Sequence, residues 1–277
     1  MGSRMWEIIV AIILGLVEGM TEFAPVSSTG HMIVVDDLLL RSKQLFSPEV
    51  ANTFKVVIQL GSILAVVIVF KDRFRQLLGL QQEERDPSGE SHLKLTQVIV
   101  GLLPASILGF FFEDFIDEHL FSVETVAIGL AAGALLMIAA DWFRPARPPV
   151  TSVDQMTYRQ AFWIGLFQCL SLWPGFSRSG STISGGVLLG LNHRSASDFT
   201  FIMAVPIMFG ASGLSLVKNW QYFSIDALPF FIAGFISAFI FSLISIRFFL
   251  KLINRIKLVP FAVYRIVLAA VIYFIFL

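Results

Sequence analysis

The chain has 277 residues, and its 20 Lys+Arg balance 20 Asp+Glu. Only 14% of residues are charged, against about 25% in a soluble domain, while 56% are hydrophobic, Phe alone numbers 28 and mean hydropathy is +0.78. Such a composition excludes disorder and a water-soluble core; zero net charge argues against a nucleic-acid partner, and a single Cys169 excludes a disulfide framework.

In chain order, Met1 to Met5 are set aside as an expression scar, and no cleavable signal follows. The apolar stretch 5–39 is interrupted at Ala24-Pro25-Val26-Ser27-Ser28-Thr29-Gly30. Each half is too short to span about 30 Å of hydrocarbon comfortably, which predicts a helix–break–helix hairpin entering and leaving on one side. Spans follow near 53–70, 95–112 and 123–143, with the polar stretch Gln81 to His92 between the first two as a solvated loop. The Pro-rich stretch 145–153 marks the midpoint of the chain. A second interrupted stretch, 157–191, breaks at Pro174-Gly175-Phe176-Ser177-Arg178-Ser179-Gly180, and spans near 198–217, 228–248 and 259–276 complete the chain.

A shift of 150 positions superimposes Gly15-Leu16 on Gly165-Leu166, Thr21 on Ser171, Phe23 on Trp173, Ser27 on Ser177, Gly30 on Gly180 and Ile33 on Ile183. The expected fold is therefore a single all-α membrane domain, 1–277, with internal repeats at approximately 5–143 and 155–277. Each repeat is a re-entrant helix hairpin plus three transmembrane helices. Such a half crosses an odd number of times, so the second half lies upside down, with the site at the midplane where broken helices meet. Basic residues concentrate on one set of loops (Lys71, Arg73, Arg75, Arg85, Lys94, Arg144, Arg147, Arg159, Arg194, Arg247, Lys251, Arg255 and Lys257), which predicts that set to be cytoplasmic and both termini external.

Ionisable residues at membrane depth carry the chemistry. Glu18 and Glu22 lie four apart on one helical face, placed to share a proton or a hard divalent cation, Mg²⁺ or Ca²⁺. A structural pair satisfied by one Arg is the plainer alternative. After Pro25, expected in the first turn of a new helix, the run Ser27, Ser28, Thr29 and Gly30 offers hydroxyls and amides to an anion, phosphate above all. His31 stands within a turn of the serines, placed either to move a proton or simply to bond a neighbouring helix. In the second break Arg178 presents a fork that matches phosphate oxygens, surrounded by Ser177, Ser179, Gly180 and Thr182 as an anion nest. Arg265 is a further candidate for holding phosphate. Lys55 and Gln59 share a face toward the cavity, although Lys55 can equally snorkel to the interface; Asp141 reads as solvated and Cys169 as a small apolar residue. The set fits phosphoryl transfer; a transporter or flippase of a phosphorylated lipid or anion is the alternative, and architecture alone slightly favours it.

The strings EGMTEFAPVSSTGH at 18–31 and PGFSRSGSTISGG at 174–186 closely resemble the bacterial undecaprenyl-pyrophosphate phosphatase family, associated with bacitracin resistance. The resemblance extends to 53–61, 156–162 and 260–265, and so covers nearly the whole chain. It implies a multi-pass protein of the bacterial cytoplasmic membrane that hydrolyses the terminal phosphate of undecaprenyl pyrophosphate, among membrane lipids, to supply the carrier lipid for peptidoglycan synthesis. It also implies a divalent metal and a site open to the external face, and leaves a homodimer open. The family's glutamate-rich motif falls on Glu18 and Glu22, its Ser/His segment on Ser27, Ser28 and His31, and its arginine on Arg178. The expected mechanism has Ser28, or less readily Ser27, attack phosphorus while His31 or Glu22 takes the proton; direct attack by water is the alternative.

Overall fold

A computed structural model describes residues 2–80, 92–223 and 225–276. The polar loop expected at 81–92 lies outside the described residues except for His92.

The first helix, α1 (Gly2–Thr21), is followed by the short α2 (Ser28–Met32), which continues as a π-helix through Leu40. After the single turn α3 (Ser42–Leu45) come α4 (Pro48–Val69), α5 (Lys71–Leu77), α6 (Leu95–His119) and α7 (Val123–Phe143). The second half runs α8 (Tyr158–Cys169), α9 (Arg178–Leu188), α10 (His193–Lys218), α11 (Leu228–Ile256) and α12 (Val259–Phe276). Among the described residues, five helices are long and apolar enough to cross a bilayer: Pro48–Val69, Leu95–Phe112, Val123–Phe143, His193–Lys218 and Leu228–Ile256. Their outward faces carry large apolar side chains, such as Phe110 and Phe111 at 79% and 74% exposure, which water would not tolerate in such number and lipid does. The chain is an all-helical, multi-pass membrane protein.

The sixth expected span, 259–276, forms a helix with those bounds, 18 residues and about 27 Å long. The length of α1 differs from expectation: expected to be too short, it runs 20 residues and about 30 Å, because the helix persists from Gly2 to the very edge of the break.

Close backbone approach holds α1 in place. A Cβ on Gly15 would stand 2.5 Å from the Gly234 carbonyl of α11, and one on Gly19 2.7 Å from that of Ala238. Small residues four apart let the two helices touch, as is usual where lipid competes for apolar contact. Hydroxyls fasten the seam, with Ser237 Oγ donating to the Ile12 carbonyl at 2.7 Å and Ser245 Oγ to that of Met20 at 3.2 Å. This seam fixes the face of α1 that carries Glu18.

At one end of the bundle the linker between the halves is tied down. Val150 bridges to Gly190 and Asn192, and the Arg73 fork grips Asp154 at 2.7 and 2.6 Å. Asp141 is not solvated as expected but only 5% exposed. It accepts from His193 Nε2 at 2.6 Å and from the Leu258 and Val259 amides at 2.8 and 3.0 Å, satisfying donors at the start of α12 that have no helical partner.

Candidate active site

Both breaks fall where expected, and their backbones match. Ser27 has φ 69° and ψ 102°, and Ser177, 150 residues later, has φ 74° and ψ 118°. A side chain at positive φ costs about 1–3 kcal/mol and persists only where its surroundings enforce it. Each serine caps the helix it begins: Ser27 Oγ accepts from the Gly30 amide at 3.4 Å, and Ser177 Oγ from the Gly180 amide at 3.1 Å. Pro25 does not occupy a first helical turn. The chain turns through it, with the Val26 amide bonding the Ala24 carbonyl at 2.7 Å, and the helix starts only at Ser28.

The two breaks touch. Ser179 Oγ donates to the Ala24 carbonyl at 3.1 Å, and Arg178 Nη2 meets Glu22 Oε1 at 3.0 Å. The other oxygen of that carboxylate, Oε2, accepts from Ser28 Oγ at 2.6 Å. One carboxylate therefore holds an arginine from the second break and a hydroxyl from the first. Glu18 is 6% exposed, and its Oε1, like Arg178 Nη1, is buried without a hydrogen-bond partner among the described residues.

Beside this cluster lies a cavity of about 270 Å³. Glu22, Ser27, Ser28 and Thr29 line it from the first break, and Ser171, Pro174, Gly175, Ser177 and Arg178 from the second. Gln59 of α4 and Ile207, Met208 and Ala211 of α10 close the apolar side. Gln59 Oε1 is itself fixed by Ser212 at 2.9 Å. Lys55, the companion expected to share that face, instead pairs with Asp36 at 3.0 Å and Asp37 at 3.6 Å.

Other candidates stand behind this wall rather than on it. Gly30 packs against Leu130, and Ser179 and Gly180 are buried at the contact between breaks. Thr182 is fully buried, donating to the Arg178 carbonyl at 2.9 Å and accepting from Thr200 at 2.8 Å. Arg265 is 0% exposed and does not reach the cavity. Its Nη2 donates to the carbonyls of Gly175 at 2.9 Å, Phe176 at 2.8 Å and Gly129 at 3.3 Å. A guanidinium so enclosed braces the second break from behind instead of meeting phosphate directly. Neither ring nitrogen of His31 is directed to Ser28 Oγ: Nδ1 meets the Ser27 carbonyl at 2.8 Å and Nε2 the Tyr264 hydroxyl at 2.6 Å. Tyr264 is a residue that the sequence reading missed, although a phenol directly beside an arginine in an apolar helix is the signal that marks it.

Chemically, the site offers a hydroxyl already bonded to a carboxylate, an arginine with an unused donor, two capped helix starts and a buried carboxylate oxygen without a partner. The donors suit a phosphate, and the Glu18 and Glu22 oxygens suit a hard cation. Among the described residues no three His, Cys, Asp or Glu gather into a cluster able to hold a metal by themselves.

Residues 11–271 match the family described as bacitracin resistance protein BacA. The chain is 73% identical over 270 residues to an undecaprenyl-diphosphatase of Geobacillus sp. (strain WCH70), with 98% of each chain covered. It is 70% identical over 273 residues to that of Geobacillus kaustophilus (strain HTA426), covering 99% of this chain and 98% of the relative. With the undecaprenyl-diphosphatase of Bacillus subtilis (strain 168) it shares 65% over 268 residues, 96% of this chain and 97% of the relative.

Proposed function

Since the chain belongs to the bacitracin resistance protein BacA family and is an undecaprenyl-diphosphatase, we propose that it cleaves the terminal phosphate from undecaprenyl pyrophosphate in the cavity between its two helix breaks. The products are undecaprenyl phosphate and inorganic phosphate, and the transporter alternative gives way to hydrolysis.

The observation that carries the mechanism is the bond from Ser28 Oγ to Glu22 Oε2 at 2.6 Å, with Arg178 on the same carboxylate. Arg178, which lines the cavity and spends one nitrogen on Glu22, binds the terminal phosphate through its remaining donors, while the Thr29 hydroxyl adds another. Ser28 Oγ attacks the terminal phosphorus as its proton passes to Glu22. The bridging P–O bond breaks and undecaprenyl phosphate leaves; water then hydrolyses the phosphoserine. Ser27 is the poorer nucleophile, because its Oγ is occupied in capping α2. Glu22 is the better proton acceptor than His31, whose two nitrogens are both engaged elsewhere. Most of the rate in such a reaction comes from positioning and charge stabilisation.

Glu18 and Glu22 are the residues that would hold a divalent cation, Mg²⁺ or Ca²⁺, and the orphaned Glu18 Oε1 supports this. When bound, such a cation would neutralise charge on the pyrophosphate.

We further read the chain as one domain of two inverted halves in the bacterial cytoplasmic membrane, with both termini external. The matching backbone and capping of Ser27 and Ser177 support the repeat, and the basic loops support the orientation. Purified protein in detergent, without any membrane gradient, is expected to release phosphate from undecaprenyl pyrophosphate, and Arg178→Ala to abolish the release. Absence of release across a series of divalent ions overturns the assignment.

A further inference from the structure

The last helix reaches both breaks with two consecutive residues. Arg265 holds the second break by its Gly175 and Phe176 carbonyls, and Tyr264 holds the first through His31. The chemistry of this second connection is constrained. The Ser27 carbonyl can only accept, so the His31 nitrogen 2.8 Å away, Nδ1, carries the proton. In the neutral ring Nε2 is then a bare acceptor, and the Tyr264 hydroxyl donates to it across 2.6 Å. The two rings lie nearly parallel, 9° apart, with centroids at 5.5 Å, so the phenol faces the imidazole in one orientation.

The Ser27 carbonyl depends on this side chain. The backbone bond expected to close the first turn of α2, from the His31 amide, is stretched to 3.4 Å. At the second break the corresponding bond, from the Ser181 amide to the Ser177 carbonyl, is 3.0 Å and needs no such help. Ser27 therefore keeps its positive φ with a weak backbone bond and a strong imidazole bond, and Ser28 is the next residue.

We propose that Tyr264 is a positioning residue for hydrolysis: its hydroxyl fixes the His31 tautomer that grips the Ser27 carbonyl, and so sets Ser28 Oγ against Glu22. This rests on the phosphatase reading above and adds to it a residue that does not line the cavity. Tyr264 is 47% exposed on the outer surface of the bundle, so trimming its hydroxyl opens no core.

The test uses the full chain in detergent with undecaprenyl pyrophosphate. Tyr264→Phe keeps the ring and loses the donor; kcat is expected to fall about tenfold, equivalent to about 1.4 kcal/mol of transition-state stabilisation, with KM within about twofold of the parent. In a His31→Ala background the same change is expected to have no further effect, since Tyr264 acts only through the imidazole. Nitrogen NMR of the ring is expected to show a proton on Nδ1 in the parent and a mixture of tautomers in Tyr264→Phe. Parental kcat in Tyr264→Phe, or an equal loss in both backgrounds, overturns the proposal while the phosphatase reading stands. Failure of the parent to release phosphate removes that reading instead, whereas a tautomer unchanged by Tyr264→Phe counts against the positioning role by itself.

Discussion

Ser28 Oγ and Arg178 Nη2, from helix breaks 150 positions apart in the chain, meet on opposite oxygens of one carboxylate, Glu22, at 2.6 and 3.0 Å. A hydroxyl bonded this way has its proton acceptor in place before substrate arrives. Glu22→Gln keeps the shape and can still bond Ser28, but it cannot take the proton. Loss of general-base assistance is worth about 10²–10⁴ in rate. Phosphate release by Glu22→Gln is therefore expected to fall by that order in kcat, and near-parental turnover would exclude Glu22 as the base.

Arg178→Lys separates charge from geometry. Lysine keeps one positive charge near Glu22 but has no planar fork to hold a carboxylate and a phosphate together. Since the role proposed for Arg178 is stabilisation of the transferring phosphoryl group, a drop of about 10²–10³ in kcat is expected. If the Arg178→Lys variant turns over within a few-fold of the parent, charge alone suffices and the bidentate role is wrong.

Much of this was legible from the residues. The two breaks announced themselves because Pro, Gly and hydroxyl residues interrupt apolar stretches, and Glu22 and Arg178 stood out because charge at membrane depth is costly. What stayed hidden was direction. Nothing in the spacing of Ser28 and His31 tells that the hydroxyl turns to Glu22 while the imidazole turns to Tyr264, since that depends on how α12 packs. Arg265 misled for the same reason: an arginine beside a phosphate site suggests phosphate, whereas here its Nη2 is spent on backbone carbonyls of the second break. Asp141 reads as solvated because its place in the sequence is a span end, yet the start of α12 needs an acceptor there.

The orphaned Glu18 Oε1 makes a prediction about metal. If Glu18 and Glu22 hold a hard cation with the substrate phosphates, a chelator is expected to abolish phosphate release and Mg²⁺ or Ca²⁺ to restore it. Glu18→Gln, with one charge fewer, should then need a higher cation concentration for half-maximal activity. Full turnover in excess chelator would assign Glu18 a purely electrostatic role.

Away from the site, Asp154 gives a prediction in pH. Burial works to raise its carboxyl, but the Arg73 fork and the Leu93 amide at 3.0 Å outweigh it, and the net position is below the usual carboxylate value. A depressed folded-state value means stability present above the unfolded value of about 3.9 and lost as pH falls through the lower folded value. Because the pair is partly exposed, its worth is about 1 kcal/mol or less. In detergent at neutral pH, Asp154→Asn is expected to unfold at a slightly lower temperature than the parent. The gap should close below about pH 3.9, and a gap that widens on acidification would show that another group governs this end of the bundle.

Two glycines separate packing behind the site from helix propensity. A Cβ on Gly133 of α7 would collide with Arg265 Nη2 and with the Phe176 carbonyl that this nitrogen holds. Neither partner can yield freely: the guanidinium is enclosed on carbonyls at 2.8–3.3 Å, and the carbonyl belongs to the second break, one residue before the strained Ser177. Gly133→Ala is expected to cost about 1–3 kcal/mol of stability, as overpacking does, and to lower kcat although Gly133 does not line the cavity. Gly210 of α10 is the control, because a Cβ there meets nothing within 4 Å. Gly210→Ala should be neutral or stabilising by about 0.5–1 kcal/mol, the ordinary gain from replacing glycine within a helix. Thermal unfolding and phosphate release measured on both variants decide the matter: equal behaviour of the two would mean that the Arg265 brace does not transmit to the break.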